Sequence, residues 1–241
     1  MTPVMLWDFD GTLGRRKEGW SATMATLAHD AGHELQTDQI RPQLAGAFPW
    51  DRPQEDHRGY VEADAWWRRM SRGIARAYEA CGLPDALAQE LAARFRQAYL
   101  DLSQWELFAD AAPTLEALSS KGWVHVVCSN HVPELPDLVE ALGLAKHLKR
   151  VISSALVGWE KPHPAIYRAA LAGLALPDQA WMAGDNIEAD VLGPQRLGIR
   201  AVLVRGQHPS ATHQCPDLPA LVEFLADQIG QLLVRVRRNR V

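Results

Sequence analysis

Short apolar runs that alternate with helical patterns constrain the fold of this chain more than any other feature. The runs are too short for buried helices, so we predict that they form β-strands. Gly122, Gly143 and Gly198 fall where helical segments should end. This alternation is typical of an α/β fold, a parallel sheet with helices on both faces and right-handed crossovers. The predicted strands span residues 4–7, 123–128, 150–153, 181–183 and 201–204, and the predicted helices span 111–119, 133–142, 164–172 and 190–197.

The alternation stops between residues 18 and about 107, where we find no good strand candidate. Helical patterns recur there at 20–31, 38–44, 61–80 and 85–102, and a stretch rich in Pro, Gly and charge separates the middle two. Their apolar positions suit a helical bundle. We therefore predict an all-helical domain, residues 18–105, inserted into a core formed by residues 1–17 and 106–241.

Composition bounds the classes of partner and the compartment. The chain has 241 residues with 47% hydrophobic residues and a formal net charge of -4, which gives no reason to expect binding to nucleic acid or membranes. The start has no basic region followed by an apolar one, and no run approaches the ~18 apolar residues of a membrane helix. We expect a cytoplasmic protein that is a monomer or a homodimer.

Two shorter features fit the same expectation. The basic tail at 234–241 is expected to be a solvated or frayed end, because one short charge run is a weak binding signal. Cys81, Cys128 and Cys215 lie far apart in sequence, so we interpret them as reduced thiols rather than a metal clip or a disulfide framework.

Polar side chains follow the predicted strands at the point where ligands bind to open parallel sheets. Residues i and i+2 of an extended chain point the same way, so both aspartates that follow the first strand can face one substrate. Two carboxylates so close raise the free energy unless a cation lies near them. The candidates are Asp8, Asp10, Thr12, Ser129, Asn130, Lys161, Asp185, Asn186 and Asp190.

These residue types suit phosphoryl chemistry. Grouped carboxylates with a phosphate are the ligands that Mg²⁺ prefers. One carboxylate can attack phosphorus and a second can carry the proton of the leaving oxygen. A lysine, a hydroxyl and backbone N–H groups can bind the phosphoryl oxygens.

Four motifs carry a resemblance to a known family. They are "DFDGTL" at 8–13, "VVCSN" at 126–130, "GWEKPHPAIY" at 158–167 and "AGDNIEADVLGPQRLGI" at 183–199. In this order they resemble the phosphatase branch of the haloacid dehalogenase superfamily, over residues 1–17 and 106–225. The resemblance implies a Rossmann-like three-layer core with a parallel sheet and an inserted helical cap domain that closes over the site.

The resemblance also implies roles for individual residues. Asp8 would be the nucleophile and a metal ligand, and Asp10 the general acid and base, with its backbone carbonyl on the metal. Asp185 would be a metal ligand, and Asp190 would bind the metal or orient its water. Phosphate would be bound by Ser129, Asn130, Lys161, Gly11 and Thr12.

The implied activity is a Mg²⁺-dependent phosphatase that hydrolyses a small phosphomonoester, such as a nucleotide, a sugar phosphate or a phosphoglycolate-like compound, through a phospho-aspartyl intermediate. A sugar-phosphate phosphomutase with the same motifs is the alternative. A haloacid dehalogenase is disfavoured, because relatives of that activity lack the second aspartate, present here as Asp10. A catalytically silent binding protein is disfavoured by the intact acidic residues and Lys161.

A few residues depart from the usual pattern or fall outside it. Arg15 and Arg16 follow the first motif and either reach the substrate or solvate the linker. His163 is interpreted as a local hydrogen-bonding change rather than a metal ligand. Most tryptophans of the insertion should pack in the bundle, whereas Trp50, on a loop, and Trp159, near Lys161, are candidates for the mouth of the site.

Overall fold

A parallel six-stranded sheet forms the centre of the protein. The computed structural model describes the backbone of residues 2–238 and the side chains of residues 2–228. The strands of the sheet run in the order β5-β4-β1-β6-β7-β8, with every pairing parallel. They are β1 (Val4–Trp7), β4 (Val124–Ser129), β5 (Leu148–Ser153), β6 (Ala180–Gly184), β7 (Arg200–Val204) and β8 (Gln214–Cys215).

Helices cover both faces of this sheet, as the sequence predicts. Alternate residues of β1 face opposite ways: Met5 and Trp7 belong to one apolar cluster and Val4 and Leu6 to the other. The helices of the core are α5 (Ala111–Ser119), α6 (Leu135–Ala141), α7 (Ser154–Val157), α8 (Pro164–Leu171), α9 (Gly193–Gln195) and α10 (Leu218–Arg238). The α/β fold class with a parallel sheet is thereby confirmed.

Several core elements differ from the prediction. The segment predicted as one helix at 190–197 is a π-helical turn, Ile187–Leu192, followed by α9. Pro194 lies in the first turn of α9 and has no N–H, so a continuous α-helical ladder cannot pass through it. Helix α10 and strand β8 were not predicted. The side chains of the basic tail lie outside the described residues.

The insertion is helical. It contains α1 (Trp20–Asp30), α2 (Thr37–Ile40), α3 (Ala63–Ala80) and α4 (Asp85–Tyr99), with short 3₁₀ turns between them. Aromatic rings fill its interior, and Trp20 stacks on Phe95 with ring centroids 5.0 Å apart. Trp66 and Trp67 are buried beside them. The prediction that these tryptophans pack in the bundle is confirmed.

A small ribbon joins the insertion to the core and corrects the prediction that residues 18–107 hold no strand. Strands β2 (Gly14–Arg16) and β3 (Trp105–Leu107) pair antiparallel. Three residues are too few to give an alternation signal, and the pairing partner is remote in sequence. Trp105, assigned to the bundle from sequence, lies on this ribbon.

Both arginines of the ribbon bind to the protein itself. Arg15 forms an ion pair of 2.6 Å with Glu106 across the ribbon. Arg16 donates to the carbonyl oxygens of Tyr99 at 3.1 Å and Ala98 at 2.9 Å. It also donates to Thr23 Oγ1 at 2.6 Å and to the carbonyl oxygen of Glu18. In this structure, the guanidinium of Arg16 therefore ties the two ends of the insertion together.

Two further sequence predictions concern the cysteines and the membrane. The three cysteines are free, and Cys128 is buried in β4. Within the part of the chain that the structure describes, no helix is both long and apolar enough to cross a membrane.

A buried histidine in the sheet predicts a pH-dependent stability. Trp7 Nε1 donates to His125 Nδ1 at 3.1 Å, which requires an unprotonated Nδ1. Burial lowers the pKa of His125 from 6.5 to about 4. Between these values the unfolded chain binds a proton that the folded protein does not, so acidification destabilises the fold.

We expect the contribution of His125 to the free energy of unfolding to fall as the pH drops from 6.5 towards 4. The fall is at most about 1.4 kcal/mol per pH unit. Urea unfolding of the wild type and of His125→Gln at several pH values measures this. The wild type should lose more stability on acidification than the variant. Parallel pH curves for the two proteins would contradict the prediction.

Candidate active site

A cavity of about 530 Å³ lies at the carboxyl edge of the sheet. Asp8 directly follows β1, Ser129 ends β4, and Asp185 directly follows β6. Lys161 comes from the loop between α7 and α8. The cavity is lined by Asp8, Asp10, Trp20, Trp50, Pro53, Tyr99, Ser129, Asn130, His131, Lys161, Pro162, Asp185, Asn186, Glu188 and Ala189. The structure thus brings together most of the residues that the four motifs supply.

Lys161 forms the electrostatic centre of the cavity. Its Nζ lies 2.9 Å from Asp8 Oδ1 and 2.6 Å from Asp190 Oδ1, and all three residues are buried. Burial alone would lower the pKa of Lys161, but the charges of Asp190 and Asp8 outweigh it and raise the pKa. Lys161 is therefore a fixed cation between two carboxylates.

Asn130 holds the backbone of Lys161 in place. Its Nδ2 donates to the carbonyl oxygen of Lys161 at 2.9 Å, and its Oδ1 accepts from the backbone N–H of Lys161 at 2.6 Å. This pair of hydrogen bonds joins the end of β4 to the loop that carries the lysine. The side chain predicted to bind phosphate is engaged here with the protein.

Asn186 performs a related function for Asp190. Its backbone N–H donates to Asp190 Oδ2 at 3.0 Å, and its side-chain oxygen caps the π-helical turn by accepting from the N–H groups of Glu188 and Ala189. Both oxygens of Asp190 therefore have partners, and the carboxylate is fixed behind Lys161.

Three carboxylates form a group that fits a divalent cation. Oxygen atoms of Asp8, Asp185 and Asp190 all lie within 4.8 Å of one another. Burial, with the negative charge of Asp8, raises the pKa of Asp185 to about 6. Oxygen ligands of this kind suit Mg²⁺. The carboxylate of Asp10 is not a member of this group, and the expected role of its backbone carbonyl as a ligand stays a prediction.

Asp10 opens onto the cavity and differs from Asp8 in its environment. Although its side chain is solvent-accessible, desolvation by the surrounding protein and the charges of Asp8 and Asp185 raise its pKa to about 6. A carboxyl group with this pKa can both donate and accept a proton near neutral pH.

The turn after Asp10 approaches the site with its backbone. Gly11 has a φ of 86°, and a Cβ atom on it would overlap the Asp185 carboxylate. Gly11 and Thr12 do not line the cavity, and the buried Thr12 hydroxyl has no hydrogen-bond partner. Their predicted contact with phosphate stays a prediction.

The insertion supplies an aromatic surface that the sequence reasoning recognised only in part. Trp50 lines the cavity, as hypothesised, but so do Trp20 and Tyr99. Trp159 stacks on His163 at 3.8 Å and does not line it. His131 also lines the cavity and was not predicted. Its position directly after Ser129 and Asn130 is the sequence feature that could have indicated it.

His163 has the local function that we predicted for it. Its Nδ1 accepts from the backbone N–H of Ala165 at 3.3 Å, which caps α8. No metal-binding group of the described residues includes it.

Contacts on two sides hold the insertion against the core. The backbone N–H of His57 donates to the carbonyl oxygen of Gly158 at 3.0 Å. Glu134, before α6, accepts from Trp67 Nε1 at 3.0 Å and from Arg96 Nη2 at 2.7 Å. These contacts fix the insertion, which carries the aromatic side chains of the cavity, to the core.

Comparison with known proteins identifies the family. The family model for haloacid dehalogenase-like hydrolases matches residues 2–198. The chain belongs to the haloacid dehalogenase-like hydrolases. This hydrolase is 26% identical over 240 residues to haloacid dehalogenase-like hydrolase domain-containing protein 3 of Danio rerio, with 98% of this chain and 96% of the relative covered. It is 29% identical to phosphoserine phosphatase of Thermus thermophilus, covering 89% and 94%.

A third relative and the solved structures agree with this family. Phosphoglycolate phosphatase of Rhodospirillum rubrum is 30% identical, with 85% of this chain and 80% of the relative covered. A 2-haloacid dehalogenase from Pseudomonas syringae superposes with a TM-score of 0.69 at 22% identity, over 95% of this hydrolase and 100% of that chain. A phosphatase from Thermococcus onnurineus superposes with a TM-score of 0.62 at 22% identity, over 93% and 98%. The solved structures support the fold.

Gly11 offers a matched test of the site geometry in this hydrolase. We expect Gly11→Ala to displace Asp185 and to reduce turnover at least roughly tenfold, since small shifts of catalytic groups have large effects on rate. Gly32→Ala is the control, because Gly32 has a similar φ of 83° and no atom within 4 Å of the added Cβ. Steady-state kinetics measure both. Equal losses in the two variants would mean that backbone strain, not Asp185, causes the effect.

Proposed function

We propose that this protein is a Mg²⁺-dependent phosphatase that hydrolyses a small phosphomonoester through a phospho-aspartyl intermediate. The observation that carries the proposal is the contact of 2.9 Å between Lys161 Nζ and Asp8 Oδ1 at the end of the central strand. The positive charge of Lys161 is fixed beside the carboxylate of Asp8, where it can stabilise the negative charge of an incoming phosphoryl group.

The side chains at the carboxyl edge of the sheet then divide the steps of the reaction between them. Asp8 attacks phosphorus and forms the acyl phosphate, while Lys161 and Ser129 bind phosphoryl oxygens. Asp10 gives its proton to the leaving alcohol oxygen and afterwards takes a proton from the water that hydrolyses the acyl phosphate. The pKa of Asp10, raised to about 6, suits both steps near neutral pH.

Mg²⁺ would be held by the carboxylates of Asp8, Asp185 and Asp190 and by the backbone carbonyl of Asp10. When bound, it supplies positive charge to the phosphoryl oxygens. The group of three carboxylates, whose oxygens lie within 4.8 Å of one another, is what supports this assignment. Burial and the negative charge of Asp8 raise the pKa of Asp185 to about 6, and a bound cation would offset that repulsion.

The names of the relatives support the same activity class. Two of them are a phosphoserine phosphatase and a phosphoglycolate phosphatase. Both names describe hydrolysis of a small phosphorylated compound. We therefore assign a small phosphorylated metabolite as the substrate of this chain. We also propose that the protein acts on this substrate in the cytoplasm.

We further propose that residues 18–105 form a cap domain and that 1–17 with 106–241 form the catalytic core. The ribbon supports this division, because the chain leaves and re-enters the core at paired positions, Arg16 opposite Trp105. The backbone N–H of Lys17 also donates to the carbonyl oxygen of Gln104 at 2.8 Å. A lid of this kind excludes water and contacts the leaving group.

Asp8 and Asp10 provide the direct test of the mechanism. We expect Asp8→Asn to abolish Mg²⁺-dependent phosphate release, and Asp10→Asn to lower it by roughly 10²–10⁴-fold, the usual range for a lost general acid or base. Asp178→Asn is the control. Asp178 is an exposed aspartate that precedes β6, at the end of the strand away from Asp185. Thermal melting confirms that each variant is folded. Phosphate release that survives in Asp8→Asn or in EDTA would contradict the proposal.

Phosphatase and phosphomutase differ in the fate of the phosphoryl group. For a phosphatase, free phosphate should accumulate in proportion to substrate consumed. A mutase would interconvert sugar-phosphate isomers with little phosphate release. Phosphate assay and product analysis of the same reaction distinguish them, and isomer formation without free phosphate would overturn our assignment.

A further inference from the structure

Part of the lining of the cavity is aromatic. We call Trp20, Trp50 and Tyr99 the aromatic wall. The rings of Trp20 and Tyr99 have centroids 4.5 Å apart, and Trp50 stacks on Phe48 at 4.8 Å with an interplanar angle of 9°. These contacts fix the rings before any ligand binds. A fixed aromatic surface is suited to a planar, uncharged group.

The described residues offer no free cation at this cavity. Among the described residues that line it, Lys161 is the only lysine or arginine. Its Nζ lies within 2.9 Å of carboxylate oxygens of both Asp8 and Asp190. Arg16, at the ribbon, is bound to the protein by its own hydrogen bonds. On the cap loop, Arg52 pairs with Glu55 at 3.4 Å. A carboxylate on the leaving group would therefore find no unpaired lysine or arginine among these side chains.

An acidic residue that the proposed mechanism does not use also lines this cavity. Glu188 is exposed there and pairs with Arg196 at 3.2 Å, so that arginine is engaged as well. A leaving group with a carboxylate would therefore meet no free arginine at the cavity, whereas an uncharged leaving group needs none.

His131 is a buried polar residue of the cavity lining, outside the aromatic wall. It is 3% exposed, and neither ring nitrogen has a hydrogen bond of good geometry in the protein, the nearest being an interaction with the backbone of Val132. Phe9 and Trp105 hold its ring from the core side, with centroids 5.7 and 5.2 Å away. Burial lowers its pKa to about 4, so the imidazole is neutral. A buried polar atom without a partner costs free energy, and a ligand that bonds to it removes that cost.

We propose that the cavity selects phosphomonoesters of an uncharged alcohol that carries a planar ring, of which a nucleoside is the natural example. In this assignment Trp50 stacks on the ring, and His131 hydrogen-bonds to a hydroxyl or carbonyl of the same leaving group. The volume of about 530 Å³ lies in the range of small-molecule pockets. The assignment rests on the proposed phosphatase function and names its substrate class.

A panel of three kinds of substrate tests the assignment in the wild-type protein. It contains nucleoside 5′-monophosphates, ribose 5-phosphate, and the carboxylated compounds phosphoglycolate and phosphoserine, each with Mg²⁺. We expect kcat/KM to be highest for a nucleoside monophosphate and lowest for the carboxylated compounds. The gap between nucleoside monophosphate and ribose 5-phosphate should be roughly tenfold, the scale of one base–aromatic stack.

Variants assign this preference to residues. Trp50→Ala should raise KM for the nucleoside monophosphate roughly tenfold with little change in kcat, and should leave KM for ribose 5-phosphate within about twofold. His131→Phe keeps the ring and removes both nitrogens, and should also act mainly on KM. Trp159→Ala is the matched control, because Trp159 does not line the cavity. Thermal melting checks each fold.

Trp50→Arg gives a test that does not depend on loss of activity. It adds the missing cation to the wall, so the ratio of kcat/KM for phosphoglycolate to that for the nucleoside monophosphate should rise. An unchanged ratio in folded Trp50→Arg would count against the assignment.

The outcomes separate the two levels of the proposal. Phosphate release that depends on Asp8 but favours the carboxylated compounds would overturn the substrate class and leave the phosphatase standing. No Asp8-dependent release from any member of the panel would overturn the phosphatase, and the substrate class with it.

Discussion

The ion pairs of Lys161 are the interaction on which the rest of the catalytic edge depends. A buried lysine between Asp8 and Asp190 balances charges that would otherwise repel each other at the end of the central strand. Breaking a buried pair leaves an uncompensated charge and is strongly destabilising, by about 3–5 kcal/mol. The same contacts fix the position of Asp8, so under the proposed function stability and activity would depend on the same residues at this edge.

The neighbouring polar groups make this arrangement rigid. Asn130 fixes the backbone of Lys161, and Asn186 fixes the carboxylate of Asp190. Neither asparagine side chain needs to touch a substrate to matter. They convert three loops that come from distant parts of the sequence into one preorganised unit, which is the condition for electrostatic stabilisation of a transition state.

The sequence predicted the parts of the structure that have local signals. An apolar strand followed by Asp8 and Asp10 is readable within ten residues, and the other motifs are similarly compact. Strand β3 escaped because three residues carry no periodicity and its partner lies far away in the chain. His131 escaped for a different reason: a histidine after a strand is usually structural, and only the cavity reveals that its nitrogens lack partners.

The two-stranded ribbon has a consequence for how such a protein can change. Because Arg16 and Trp105 are paired neighbours, the chain departs from the core and returns to it at one place. A segment with this topology can be lengthened, shortened or exchanged without altering the strand order of the sheet. Evolution can therefore vary the residues that the insertion contributes to the cavity while the carboxylates and the lysine stay untouched, and a protein engineer can splice at the same junction.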